Sequence, residues 1–416
     1  MSTLNTAIRV SQPGADLTVG RSALTTAFAA DAIGYGFVLY SSGALMISLT
    51  ERYSASRFDI SLAFSLVAVG AGLGSMVLGP WLDRGRVRRI MLLGTVVFSF
   101  GFALASFTTN LELLTLCYMC LLGPGTAMIS QSASAKLIAD HCAQSGRALA
   151  IASVGVSLSG VVMPVACTLL LELWPVEWVL RLYALASLGL ALPLIFSIKP
   201  QQNATGLASH MAQEAPGVAA KGYRTLLRDF RFWKLALVFG IAFCVIVVVI
   251  VHTLPRVIDS GAVGMHAAYV GSVIALLGLP TKLLLTRLAD TERLPLLFCG
   301  AMLTQALGLL IFLNAASLFE NIMGGAVFGV GMGVTQPCLA IFVVRVFGAG
   351  QVGSVMGLLA PFMYCIQVIG VPLAGRAYDE LGNYDAVLTS CVAALALVTV
   401  IGWNLRGELR RPAEGA

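Results

Sequence analysis

Twelve times along this chain an apolar run long enough to cross a lipid bilayer recurs, at about 23–50, 60–82, 90–108, 111–135, 148–171, 178–198, 232–254, 267–288, 294–316, 321–344, 350–375 and 386–404. A helix rises ~1.5 Å per residue, so ~20 residues traverse a hydrocarbon core ~30 Å thick. No water satisfies a backbone amide there, which leaves closed barrels and helices, and runs this long and continuous are helical. The expected fold class is therefore an all-α membrane protein with about twelve transmembrane helices. A soluble helical protein is excluded by composition, since 58% of the 416 residues are hydrophobic, only 11% are charged, and the mean hydropathy is +0.89.

Connections between the runs are short except for residues 199–231, a polar stretch ending in the basic run KGYRTLLRDFR. The expected organisation is a tail at 1–22, a six-helix bundle at 23–198, a linker at 199–231, a second six-helix bundle at 232–404 and a tail at 405–416. The net charge of +6 does not point to nucleic acid, because the basic clusters lie between apolar runs. With both termini cytoplasmic, twenty of the 26 Lys and Arg face the cytoplasm, five face outward, and Lys282 lies inside a run. That bias predicts a multi-pass protein of the cytoplasmic (inner) membrane with cytoplasmic termini. The five tryptophans (81, 174, 178, 233, 403) fall near helix ends, as an interfacial belt requires. The first residues are polar and lack an apolar h-region, so no cleavable signal peptide is expected.

Catalytic signatures are missing. There is no H-E-x-x-H, G-x-S-x-G or Walker sequence, and the nine cysteines are scattered. Cys117 and Cys120 form a C-x-x-C with no second pair beside it, and read as small packing residues. The expectation is a protein that is not an enzyme and holds neither metal nor cofactor.

One residue breaks the apolar pattern. Lys282 stands within AAYVGSVIALLGLPTKLLLTRLAD (267–290). A charge at bilayer depth costs ~2.5–3.5 kcal/mol on insertion scales, so such residues usually face a cavity or a partner. Lys282 also lies five residues before Arg287, about 7.5 Å of helix, which would let it snorkel to the interface. Position alone leaves both readings open.

The two halves echo one another. Span four reads PGTAMISQSASAKLIAD (124–140) and span ten GVGMGVTQPCLAIFVVR (329–345); without a gap, Gln131 falls on Gln336. Span two ends in GPWLDRGRVRR (79–89) and span eight in TRLADTER (286–293), with Asp83 opposite Asp290. Repeated six-helix units are a transporter signature, with a substrate site near midplane between them.

Asp83-Arg84 with Arg88-Arg89 resembles the loop motif between the second and third helices of the major facilitator superfamily, with Asp290 and Arg293 as a weaker second copy. The usual glycine falls at Arg86, with Gly85 one residue early. The resemblance implies two pseudo-symmetric six-helix bundles, and a gating role for Asp83, Arg84, Arg88, Arg89, Asp290 and Arg293 on the cytoplasmic side. Longer stretches, SASRFDISLAFSL (54–66), SGRALAIASVGVSLSG (145–160), FWKLALVFG (232–240), VHTLPRVIDSG (251–261) and AGRAYDELGNYDAVL (374–388), resemble the monocarboxylate and oxalate/formate anion transporters. In that branch span eight carries a cation that binds the substrate carboxylate, and Lys282 falls on it. Three departures matter. Met363 stands where oxalate-type members carry a second cation, which favours a monoanion. No lysine lies between Ala23 and Thr50, where animal members have one. Gly278 replaces their aspartate one turn before the span-eight cation.

Asp31, among small and aromatic residues of span one, is the candidate proton carrier or resting partner for Lys282, with a solvated, idle carboxylate as the alternative. Gln131 and Gln336 are candidates to hydrogen-bond a substrate, with helix–helix contact as the competing role. His252 reads as interfacial, with proton relay as the second possibility. Tyr35, Tyr40 and Tyr364 are candidates for the path. The expected function is secondary active transport of a small organic monoanion, a monocarboxylate, by alternating access, coupled to proton symport or counter-anion exchange. The expected partners are that anion, the proton or counter-anion, and the bilayer; nucleic acid is not one, and the transport unit is monomeric. Efflux of an amphiphilic compound and a non-transporting membrane sensor are the alternatives.

Overall fold

A computed structural model of the chain describes residues 13–84, 86–130, 132–142, 145–198, 223–288, 293–348 and 352–404. Among them every regular element is helical. The first six spans comprise α1 (Pro13–Tyr35) continued by a π-turn and α2 (Ser42–Tyr53), then α3 (Arg57–Asp83), α4 (Val87–Phe107), the broken series α5 (Leu111–Cys117), α6 (Gly123–Ile129) and α7 (Ser132–His141), α8 (Ser145–Leu173) and α9 (Val176–Ser197). A short α10 (Tyr223–Arg228) precedes the last six: α11 (Phe230–Asp259), α12 (Gly264–Leu288), α13 (Leu294–Leu313), α14 (Leu318–Phe347), α15 (Val352–Leu381) and α16 (Asp385–Asn404). Twelve of the described segments are long and apolar enough to span a bilayer.

Helix ends fall where capping chemistry puts them. Ser56 with Asp59 and Ser317 with Glu320 form capping boxes opening α3 and α14, satisfying amides that lack an intrahelical partner. Asp229 accepts from the Arg231 amide at the start of α11. Two departures from the sequence expectation have local causes. Helix α1 begins at Pro13, upstream of the apolar run, because a helix once nucleated continues into polar residues that do not cross the membrane. Span four is not one helix: a π-turn at Tyr118–Leu122 precedes Pro124, and the chain is extended at Ser130.

Each half has its own aromatic core. Phe37 stacks on Tyr183 at 4.3 Å beside Phe98 and Phe102 in the first, and Phe239, Phe298 and Phe342 meet within 5.6 Å in the second. Matching arginines tie the helix ends of each half. Arg52 pairs with Glu177 at 3.2 Å and donates to the Ser106 and Thr108 carbonyls, while Arg256 donates to Asn321 Oδ1 and the Phe312 carbonyl. All five tryptophans are exposed, as an interfacial belt requires. Cys117 is buried, Cys120 is exposed, and both are free thiols.

The two halves touch along one side of the membrane and part along the other. We call the end of the molecule that carries Arg84, Arg86, Arg88, Arg89 and Arg293 the basic face. Contacts between the halves gather toward the opposite face. Gly43 lies against the Ile250 and Val251 carbonyls, and Gly375 against the Arg57 carbonyl. Ser272 Oγ donates to the Val161 carbonyl at 2.6 Å.

Glycine is required where backbones approach this closely. A Cβ on Gly123 would come within 2.6 Å of the Val67 carbonyl, and one on Gly70 would collide with the Met119 carbonyl. Gly189 and Gly300 face open space. Gly70→Val and Gly123→Val are expected to cost about 1–3 kcal/mol or more through overpacking, and Gly189→Ala and Gly300→Ala to be near neutral or stabilising. Thermal unfolding midpoints in detergent test this contrast.

Candidate functional site

Below the closed seam the halves enclose a cavity of about 610 Å³ on the basic-face side. Its wall is drawn from spans one, two, four and five of the first half and seven, eight, ten and eleven of the second. The lining residues recur at helical spacing. Phe243, Ile246, Val247, Ile250 and Val251 form one stripe of α11, and Met332, Gly333, Gln336, Leu339 and Ala340 one stripe of α14. On α12 the stripe is Ala275, Gly278 and Lys282, while Leu276, Leu283 and Leu284 turn outward and are exposed. The register of α12 therefore aims Lys282 inward, because the lipid-facing arc is already taken by leucines.

Lys282 is 9% exposed, and its ammonium stays within the seam instead of reaching for the basic face. Nζ donates to the Ser153 carbonyl of α8 and to Gln336 Oε1 of α14, each at 3.2 Å. The bond to Ser153 crosses between the halves, and the bond to Gln336 stays within the second. Asp31, 8% exposed on α1, also lines the cavity, close enough to Lys282 for the opposite charges to attract. Asp31 and Lys282 are the two charged side chains on the described wall. A buried ammonium bonded to neutral acceptors, with a carboxylate at hand, keeps its counter-charge inside the protein.

The expected residues are distributed as follows. Lys282, Gln336 and Asp31 are brought together. Tyr35, Tyr40 and Tyr364 all line the cavity, and Met363 stands on the wall as an apolar residue. Gln131 lies outside the described residues, between Thr126 and Ser134, which do line the cavity. Gly278 packs against the Gly329 carbonyl at 3.1 Å from its ideal Cβ position, so an aspartate would crowd the crossing of α12 with α14. His252 is buried, with Nδ1 3.2 Å from the Tyr384 hydroxyl and Nε2 3.3 Å from the Val371 carbonyl, in the seam and off the cavity wall. Helix α11 runs on about two turns past it to Asp259. Of the gating motif, the side chain of Asp83 and the whole of Asp290 lie outside the described residues. Arg84, Arg89 and Arg293 are exposed, and Arg88 donates to the Phe196 carbonyl at 3.2 Å, within its own half.

The closing latch was missed by sequence reasoning. Arg57, at the start of α3, makes a two-pronged ion pair with Asp259 of α11 at 2.7 and 2.9 Å. It also donates to the Tyr384 hydroxyl at 2.7 Å and sits 3.7 Å over the Tyr378 ring. The amides of Arg57 and Phe58 donate to the Asp379 carboxylate at 3.0 and 2.9 Å, so a residue of α15 caps a helix of the other half. Burial pushes the Tyr384 hydroxyl above the ordinary phenol range, against the opposing pull of Arg57, so it remains a neutral donor and acceptor. A pointer existed, since three of the stretches that carry the family resemblance hold Arg57, Asp259, and Asp379 with Tyr384. Among the described residues no cluster of His, Cys, Asp and Glu is placed to hold a metal.

Comparison with known proteins agrees with this geometry. The family model described as Major Facilitator Superfamily matches residues 26–371. Human monocarboxylate transporter 11 is 27% identical over 382 residues, covering 86% of this chain and 77% of that protein. The mouse protein of the same name is 26% identical over 383 residues, covering 88% and 82%. Among solved structures, a bacterial homologue of the human lysosomal transporter Spinster, in an inward-facing and unoccupied conformation, superposes with a TM-score of 0.70. It covers 96% of this chain and 98% of its own at 13% identity, a likeness of fold.

Removing the latch carboxylate that caps α3 should free two amides. Asp379→Ala is expected to speed hydrogen exchange in the first turn of α3 by about tenfold, the equivalent of ~1.4 kcal/mol, with α9 unchanged. Exchange mass spectrometry over residues 54–62 reads this directly.

Proposed function

The chain belongs to the major facilitator superfamily, and on that footing we propose that it is a secondary transporter moving an organic monoanion, a monocarboxylate, by alternating access. The observation that carries this reading is Lys282, buried on the wall of a cavity between the halves and held there by neutral oxygens. A carboxylate entering from the basic face replaces those oxygens with a full counter-charge, a gain that is large in a low dielectric. Lysine presents a compact charge where arginine would present a fork, so it selects for charge more than for planar geometry. With Met363 in place of a second cation, a dianion would carry one uncompensated charge into the seam.

Asp31 supplies the coupling. While ionised it is the resting partner of Lys282; once protonated it releases the ammonium to the substrate. Anion and proton then share one passage, and exchange of one anion for another follows when Asp31 stays neutral throughout. Gln336 orients the bound carboxylate, and Gln131 is assigned the matching place on span four. Opening the Arg57–Asp259–Asp379 latch on the opposite face releases the cargo. Asp83, Asp290 and the neighbouring arginines close the basic face during that step. The excess of Lys and Arg there assigns it to the cytoplasm, with both termini on that side and the opposite face outward.

Uptake of a labelled monocarboxylate panel into proteoliposomes tests this. Lys282→Ala is expected to lower uptake at least ~30-fold, as loss of a buried charge partner costs 2 kcal/mol or more, and Lys282→Arg to retain part of it. Asp31→Asn is expected to abolish pH-driven accumulation while anion exchange persists. Uptake that is indifferent to Lys282→Ala contradicts the reading.

A further inference from the structure

Beyond Lys282 the cavity continues away from the basic face. On α12 the wall continues from Lys282 through Gly278 to Ala275, about 10 Å of helix directed away from the basic face. Beside it, α11 offers an apolar stripe including Phe243, Val247 and Ile250, and α3 adds Phe64. Three of the lining hydroxyls are turned to carbonyls of their own span. Ser42 donates to the Leu39 carbonyl at 2.6 Å, Ser65 to the Ser61 carbonyl at 2.9 Å and Thr126 to the Leu122 carbonyl at 2.7 Å. The ring-bearing Tyr35 and Tyr364 are on the same wall. The two charged side chains are Asp31 and Lys282, and the rest of the lining is mainly apolar and aromatic, with Gln336, Gln367, Ser157 and the tyrosine hydroxyls among its other polar groups. About 610 Å³ lies within the range that encloses a ligand of drug-like size.

We infer that the acid carried here has a bulky apolar body, such as an aryl-substituted carboxylate, with its carboxylate on Lys282 and its body in the chamber lined by Phe64, Phe243, Val247 and Ile250. This rests on the proposed anchoring at Lys282. A short hydroxy or oxo acid would satisfy the ammonium and leave the apolar chamber wet. An aryl body displaces that water, and each buried methylene equivalent tightens binding about fourfold.

Isothermal titration of the full chain in detergent with acetate, lactate, phenylacetate and 3-phenylpropanoate tests the inference, with neutral 3-phenylpropanamide as the control for partitioning. Affinity is expected to rise at least ~100-fold from acetate to 3-phenylpropanoate, and the amide to bind at least tenfold more weakly than its acid. Val247→Trp, which fills the chamber, is expected to weaken 3-phenylpropanoate tenfold or more and to shift the preference toward the shorter acids. Lactate binding as tightly as 3-phenylpropanoate, or a Val247→Trp protein with the wild-type preference, overturns the inference and leaves the anchor standing. Binding of none of the acids, equal binding of acid and amide, or undiminished binding by Lys282→Ala overturns the anchor itself, and the inference with it.

Discussion

An ammonium group buried between the two halves is the constraint around which this fold is arranged. Lys282 cannot shed its charge cost to water, so the protein surrounds it with the Ser153 carbonyl, the Gln336 amide oxygen and the field of Asp31. Those three partners come from α8, α14 and α1, which means that the two halves must stay in register for the charge to be tolerated. Neutral acceptors hold the lysine, and the anion proposed for the cavity would supply the full counter-charge that they lack.

The second constraint is the asymmetry of the seam. Toward the opposite face the halves are locked by Arg57 with Asp259, by Asp379 on the α3 amides, and by glycine-level approaches at Gly43 and Gly375. On the basic-face side they enclose the cavity. Lock and cavity lie on the same helices, one above the other: α11 carries both the Phe243–Val251 stripe and Asp259, and α15 both Met363 and Asp379. Any motion that breaks the latch must therefore move the cavity walls.

The fold was legible because twelve apolar runs admit few alternatives, and most boundaries came out within about three residues, while α11 and α15 run five and six residues past the expected ends at 254 and 375. Span four was less legible. Its π-turn lies where Gly70 and Gly123 let neighbouring carbonyls approach closely, and its break at Ser130 sits against Gly34 of α1, contacts that no periodicity displays. In the site, Lys282 stood out because a charge in an apolar run is conspicuous, and Gln336 because it has a counterpart in the other half. The Ser153 carbonyl was invisible, since backbone oxygens have no sequence signature. The latch escaped notice because Arg57, Asp259 and Asp379 each sit at a helix end, where a charge attracts no attention; only the third dimension brings them together. The partners of His252, the Tyr384 hydroxyl and the Val371 carbonyl, were equally invisible, since they come from the far end of the chain.

The most direct measurement is a structure of the protein with 4-iodobenzoate, whose iodine locates the ligand without ambiguity. The account predicts the carboxylate within ~3 Å of Lys282 Nζ, in place of at least one of the bonds to Ser153 and Gln336, with the iodine toward Phe243 and Val247. An anion bound elsewhere, with Lys282 still donating to Ser153 and Gln336, would contradict it.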